Sequence, residues 1–194
     1  TCAICLDLLP IEGDRQMFYA CCCKRICAEC SDKCDEYDSR CPHCRAPAIT
    51  SDAETLRRLL KHVDKGNADA QVQLGDKYRD GKGLKKSLKR AFHFFELAAA
   101  QGHAKGQVSL GDCHHFGNGV KINYKTAVQW YRRAAEQGYP CAQCNLGMAF
   151  YHGRGVAQSF DEAVRWFRLA AAQGLPDALY NLGVCHASGQ GVPQ

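Results

Sequence analysis

Cysteine is the residue whose spacing most clearly suggests chemistry. The chain holds 14, and ten of them lie within the first 44 of 194 residues. They read CAIC (Cys2–Cys5), CCC (Cys21–Cys23), CAEC (Cys27–Cys30) and CPHC (Cys41–Cys44), with Cys34 between the last two groups. A segment this short buries too little apolar surface to fold unaided, so it needs disulfides or metal. Two thiolates separated by two residues can curl round one tetrahedral zinc ion. The alternative is a secreted disulfide framework, and repeated Cys-x2-Cys knuckles argue against it. A site of four cysteines has no open position for water, so metal-assisted hydrolysis is not expected.

Over about residues 2–45 these pairs resemble the RING finger family, through C-x2-C, C-C, C-x2-C and C-P-x-C. The resemblance implies a small zinc-braced RING-type domain with two Zn2+ ions bound crosswise. The first would be held by Cys2, Cys5, Cys27 and Cys30, and the second by Cys21, Cys22, Cys41 and Cys44. The head departs from most of the family in having no histidine before His43, so all eight ligands would be cysteines. Cys22 is the expected fourth ligand of the line of pairs. Cys23 competes with it, because C-x-C is an easier bite than adjacent cysteines. His43 lies inside the last knuckle and is expected to point away from the metal. Cys34 reads as a small buried hydrophobe or a surface thiol.

In family members that act as ubiquitin ligases, the zinc loops dock a ubiquitin-conjugating enzyme. The matching positions here are Ile4, Pro42 and Arg45, with Leu6 at their border. An arginine fork can donate to carbonyls of two partners at once. The plainer reading is that Ile4 and Pro42 shape the knuckles and Arg45 is a solvated charge. Such a head would make no covalent intermediate and would act by positioning a thioester for attack. No catalytic residue is assigned.

The elements that must carry this head follow it. APAITS at 46–51 closes residues 1–49, and residues 50–65 form a connector. Ser51 and Glu54 make a capping box, and Leu56, Leu59, Leu60 and Val63 set an apolar stripe on a helix that Gly66 ends.

Glycine then recurs every 36 residues, at 66, 102, 138 and 174, at 75, 111, 147 and 183, and in the G-x-G turns GKG, GNG, GRG and GQG. The period defines units at 66–101, 102–137 and 138–173 and a partial fourth at 174–194. Each is expected to hold a first helix (about 68–79, 104–115, 140–151 and 176–187). A second helix follows in the three full units (about 87–101, 123–137 and 159–173). The second helices carry Phe94–Phe95, Trp130–Tyr131 and Trp166–Phe167, read as core rather than a ligand cage.

Residues 66–194 resemble the Sel1-like repeat family, a relative of the tetratricopeptide repeat. The likeness rests on G-x-x-x-A-x-x-x-LG and on YHGRGVAQSFDEAVRWFRLAAAQG at 151–174. The first unit departs from it, lacking the usual tryptophan and acidic residue. The expected architecture is an all-α, right-handed solenoid of helical-hairpin repeats with a concave inner surface. Sliding the connector back one period sets Leu59 under Phe95 and Val63 under Ala99. Residues 52–65 should therefore cap the stack as half a repeat. The bare face of the last unit suggests that the sequence is an excerpt, as does its start at Thr1.

Within the repeats, Cys144 falls at a core position and Cys141 at a surface one. A second metal site there, aided by Cys113 or His114, is the minor alternative. The run Lys82–Arg90 holds five basic residues, read as a solvated turn or as a contact for an acidic partner or lipid headgroup.

Charge divides between the two parts. Residues 1–49 carry a net −2 and the remainder +7. Eight thiolates and two Zn2+ ions would take the head to −6 and the chain to +1, which argues against a nucleic-acid partner. No apolar run is long enough to span a membrane.

Taken together, the sequence points to a ligase that recruits a conjugating enzyme through its head and a protein substrate or adaptor through the concave face. The alternative is a non-enzymatic zinc-binding scaffold. Zinc thiolates suit a reducing, cytoplasmic setting, with endoplasmic reticulum association left open.

Overall fold

The computed structural model describes the backbone of residues 16–19, 24–27 and 52–54 and complete residues 55–191. Strands β1 (Gln16–Tyr19) and β2 (Lys24–Cys27) pair antiparallel, with Gln16 opposite Cys27 and Tyr19 opposite Lys24. Among the described residues, eight helices follow: α1 (Asp52–Asp64), α2 (Ala68–Asp80), α3 (Leu88–Ala100), α4 (Ala104–Phe116), α5 (Tyr124–Glu136), α6 (Pro140–His152), α7 (Phe160–Ala171) and α8 (Pro176–Ser188).

Local chemistry sets these boundaries. Asn67, Ser87, His103, Asn123 and Ser159 each accept a hydrogen bond from the backbone N–H three residues on, which satisfies a donor the first turn leaves open. α6 and α8 have no such side-chain cap and start instead with Pro140 and Pro176, whose missing N–H is no loss there. Gly81, Gly117, Gly153 and Gly189 end the first helix of each unit in the left-handed conformation.

The helices pack in chain order, α2 on α3, α3 on α4, and so on to α8. Glycine and an aromatic ring interlock inside each complete hairpin. A Cβ added at Gly75, Gly111 or Gly147 would stand 2.5–2.6 Å from the ring of Phe95, Tyr131 or Phe167 respectively. The other member of each aromatic pair reaches back to the preceding unit. Phe94 packs on the cluster of Leu59, Ala70 and Leu74, Trp130 on the cluster around Phe95, and Trp166 on the cluster around Tyr131. The aromatic pairs are thus core, as their spacing indicates, and one pair ties two units together.

α1 packs on α2 at the start of the array. Leu59 is 0% exposed and packs with Ala70 and Leu74, and Leu56 and Val63 lie beside them. Full burial of such a leucine is worth about 1.5–3 kcal/mol. Leu60 does not share the stripe: it is 40% exposed. Its repeat equivalents are Glu96, Arg132 and Arg168, so the position is an outer one despite its i, i+4 relation to Leu56.

A polar clamp recurs across the core. Gln101, Gln137 and Gln173 donate through Nε2 to the Oε1 of Gln71, Gln107 and Gln143, at 2.8, 2.8 and 2.9 Å. The three accepting glutamines are buried, so each clamp answers a group that would otherwise cost about 1–3 kcal/mol unpaired.

The second glycine of each later G-x-G turn seats on the preceding unit. A Cβ at Gly119 would collide with the Leu88 carbonyl and lie 3.0 Å from the Lys89 nitrogen. At Gly155 it would collide with the Tyr124 carbonyl and lie 2.8 Å from the Lys125 nitrogen. Turn and helix meet there backbone to backbone, and both glycines have positive φ.

Candidate protein-binding surface

The first helices of successive units (α2, α4, α6, α8) touch one another through side chains. Lys105 Nζ lies 3.2 Å from Asp76 Oδ2, Asn145 Nδ2 donates to Asp112 Oδ1 at 3.3 Å, and Asn181 Nδ2 donates to Cys144 Sγ at 3.5 Å. Their direct bonding marks the tighter, inner side of the stack; the second helices form the outer side. Asp76 also holds Arg79 at 3.0 Å, and Asp69 holds His103 at 3.1 Å. These pairs are part-exposed and worth about 0–1 kcal/mol each, so they arrange the surface more than they stabilise it.

One large apolar side chain projects among them. Phe116 is 65% exposed at the end of α4. Tyr180 on α8 holds the position at which Val72, Val108 and Cys144 pack into the core, so it belongs to the packing face of the helix and not to this surface.

The site's one shielded acid is Asp112. Burial pushes its carboxyl above the usual 3.8, opposed by the Tyr131 hydroxyl, which donates to Oδ1 at 2.7 Å, and by the Arg79 charge. An acid with a raised folded value stabilises most below its unfolded value, and that contribution is lost as pH rises through the folded value. Asp112→Asn keeps an acceptor for Tyr131 and Asn145 without the charge. The variant should therefore gain on wild type in thermal melts between pH 4 and pH 7, and an unchanged difference across that range would count against the buried charge.

Three of the repeat cysteines, Cys113, Cys144 and Cys185, are poor nucleophiles. Burial pushes the Cys113 thiol up to about 12, and raises Cys144 and Cys185 as well. Cys141 is exposed and Cys144 buried, as their repeat positions indicate. Among the described residues no group of three or more His, Cys, Asp or Glu side chains is placed to hold a metal ion. His114, whose Nδ1 is buried without a partner, packs edge-on against Phe92 at 5.6 Å, away from any such group.

All but one of the ligands and docking residues expected in the head fall outside the described residues. Cys2, Cys5, Cys21, Cys22, Cys30, Cys41 and Cys44 are outside the described residues, as are Ile4, Leu6, Pro42, Arg45, Cys23, Cys34 and His43. Cys27 is described in its backbone alone, at the end of β2. In the basic run, Arg90 donates to the Tyr78 hydroxyl at 3.3 Å and sits 5.4 Å from that ring's centre, while Lys82 lies 3.8 Å from Asp80. No helix among the described residues is long and apolar enough to cross a membrane.

The sequence model of the Sel1 repeat matches residues 68–103, 104–139, 142–175 and 176–194. The chain belongs to the Sel1 repeat family. It is similar to a Sel1 repeat protein from Oxalobacter formigenes, at 34% identity and a TM-score of 0.68, covering 75% of this chain and 60% of that one. It is also similar to c5321, a protective antigen of uropathogenic Escherichia coli with an SLR fold, at 39% identity and a TM-score of 0.68, covering 71% of this chain and 29% of that one. Cysteine rich protein B of Helicobacter pylori shares the fold at 22% identity and a TM-score of 0.53, covering 67% of this chain and 93% of that one. The chain thus spans less than two thirds of the first two relatives. No curated protein sequence matches it. The Sel1 array accounts for the glycine period, the aromatic pairs and the exposed inner surface together.

Proposed function

We propose that this Sel1 chain is a protein-binding scaffold whose inner face holds a partner, and whose cysteine-rich head recruits a ubiquitin-conjugating enzyme so that the partner becomes the substrate. The observation that carries the scaffold is the inner face itself: successive first helices held in register by polar pairs, with Phe116 left exposed among them. Large aromatic side chains on a rigid surface are the usual anchors of protein recognition.

Cysteine spacing supports the ligase half of the reading. Cys2, Cys5, Cys27 and Cys30 would hold one zinc ion, and Cys21, Cys22, Cys41 and Cys44 the other. The β1–β2 ladder gives Cys27 a fixed backbone opposite Gln16. Bound zinc would brace the head, and Ile4, Leu6, Pro42 and Arg45 would form the docking face. In this reading the head would position the charged conjugating enzyme for attack and form no covalent intermediate itself.

Autoubiquitination with a panel of conjugating enzymes tests this, alongside zinc content. Ile4→Ala and Arg45→Ala should each abolish ubiquitin transfer while two zinc ions per chain are retained. Zinc retention without transfer by wild type would leave the adaptor reading. Fewer than two zinc ions would remove the head from the argument and leave the scaffold standing.

A further inference from the structure

The outer side of the array carries a groove of about 530 Å³ between α5 and the turn at Gly155–Val156. Its floor is apolar, made by Val128 and Val156, which both belong to the core cluster around Tyr131. Its rim is cationic, made by Lys125, Arg132 and Arg133. Among the described residues none of these three cations has a carboxylate within ion-pair distance. Arg133 sits 4.6 Å from the centre of the Trp130 ring, which holds its guanidinium in place without neutralising it. Glu136 also lines the groove.

The repeat does not dictate this charge. One unit earlier, Arg132 and Arg133 are Glu96 and Leu97. One unit later, they are Arg168 and Leu169, and Lys125 becomes Asp161. In that later unit, Arg165 lies 3.4 Å from Glu162. The groove's shape belongs to the fold; the uncompensated positive rim belongs to the second unit alone.

We infer that this groove docks an acidic peptide segment with an apolar residue. The apolar side chain would lie on Val128 and Val156, and flanking carboxylates would meet Lys125, Arg132 and Arg133. Arginine suits the task, because its planar fork pairs with a carboxylate through two parallel hydrogen bonds. A short segment fits better than a membrane or a nucleic acid. An anionic surface spanning two units would meet Asp161 and Glu162, and an extended phosphate chain would pass Glu136. This site lies on the side opposite the inner face and depends on neither half of the function proposed above.

Fluorescence anisotropy of the full chain with a labelled peptide of alternating Glu, Asp and Leu tests the inference. Binding should saturate and weaken with added salt. Arg132→Glu with Arg133→Glu should weaken it at least about tenfold, since each reversed charge turns an attraction into a repulsion. Arg165→Glu with Arg168→Glu makes the same change in net charge one unit away and should leave affinity within about twofold. Circular dichroism checks that both variants keep their helices; should the first pair unfold the chain, Lys125→Glu replaces it with the same expectation. Equal losses in the two units would overturn the site in favour of unspecific attraction. So would tighter binding to phosphatidylserine vesicles or to a single-stranded RNA, lost in the same variants.

Discussion

Phe95→Ala should lower stability by about 3–5 kcal/mol, the range for a fully buried aromatic that leaves a cavity. Phe95 is 1% exposed and shares a cluster with Val72, Ala91, Ala98, Ala99, Leu110 and Cys113, which spans α2, α3 and α4. Whole domains are stable by only about 5–15 kcal/mol, so the loss should be plain in a urea titration followed by circular dichroism. The ring's seat on Gly75 supplies an internal check. Gly75→Ala in wild type forces a methyl against the ring and should cost about 1–3 kcal/mol. In the Phe95→Ala chain the same methyl enters free space, and alanine's better helix propensity makes it stabilising by up to about 1 kcal/mol. Additive effects of the two substitutions would mean that ring and glycine do not share this space.

Gly155→Ala is the second large effect, and Gly138→Ala is its control. Both glycines have positive φ, at 78° and 83°, so both variants carry the left-handed penalty of about 1–2 kcal/mol. Gly138 has nothing within 4 Å of an added Cβ, and the penalty should end there. At Gly155 the methyl would meet the main chain of Tyr124 and Lys125, which cannot swing aside as a side chain can. A further loss of about 1–3 kcal/mol is expected, through displacement of the turn from α5. Equal midpoints for the two variants in thermal melts would refute the backbone contact.

Much of this arrangement could be read from residue types. Glycine at a 36-residue spacing marks both the turns and the seats of the rings, because no other residue serves either place. Aligning Leu59 with Phe95 marks Leu59 as an inward position, and it is 0% exposed against Ala70 and Leu74. Leu60 shows where hydrophobic periodicity misleads: an i, i+4 relation places two leucines near one another on a helix without saying how wide the buried face is. The unit-to-unit comparison with Glu96, Arg132 and Arg168 carries the correct answer. The glutamine clamps were present as a period too, at 71, 107 and 143 and at 101, 137 and 173, yet a buried polar residue is invisible to a search for apolar stripes. Asp112 is harder still. An aspartate reads as surface, and only the approach of Tyr131 and Asn145 reveals it as shielded. At the other end of the scale, the zinc ligands and docking residues assigned to the head rest on cysteine spacing and family likeness alone.

The seating of Gly119 and Gly155 on the helix beneath has a mechanical corollary. Where main chain rests on main chain, the spacing between coils is fixed by atoms that every sequence shares. Side chains on the exterior can then drift without changing the pitch, which is how one outer position can be Glu96 in one winding and Arg132 in the next on the same spring. A tug along the axis would meet these contacts early, so the chain should stretch stiffly at first and then yield coil by coil.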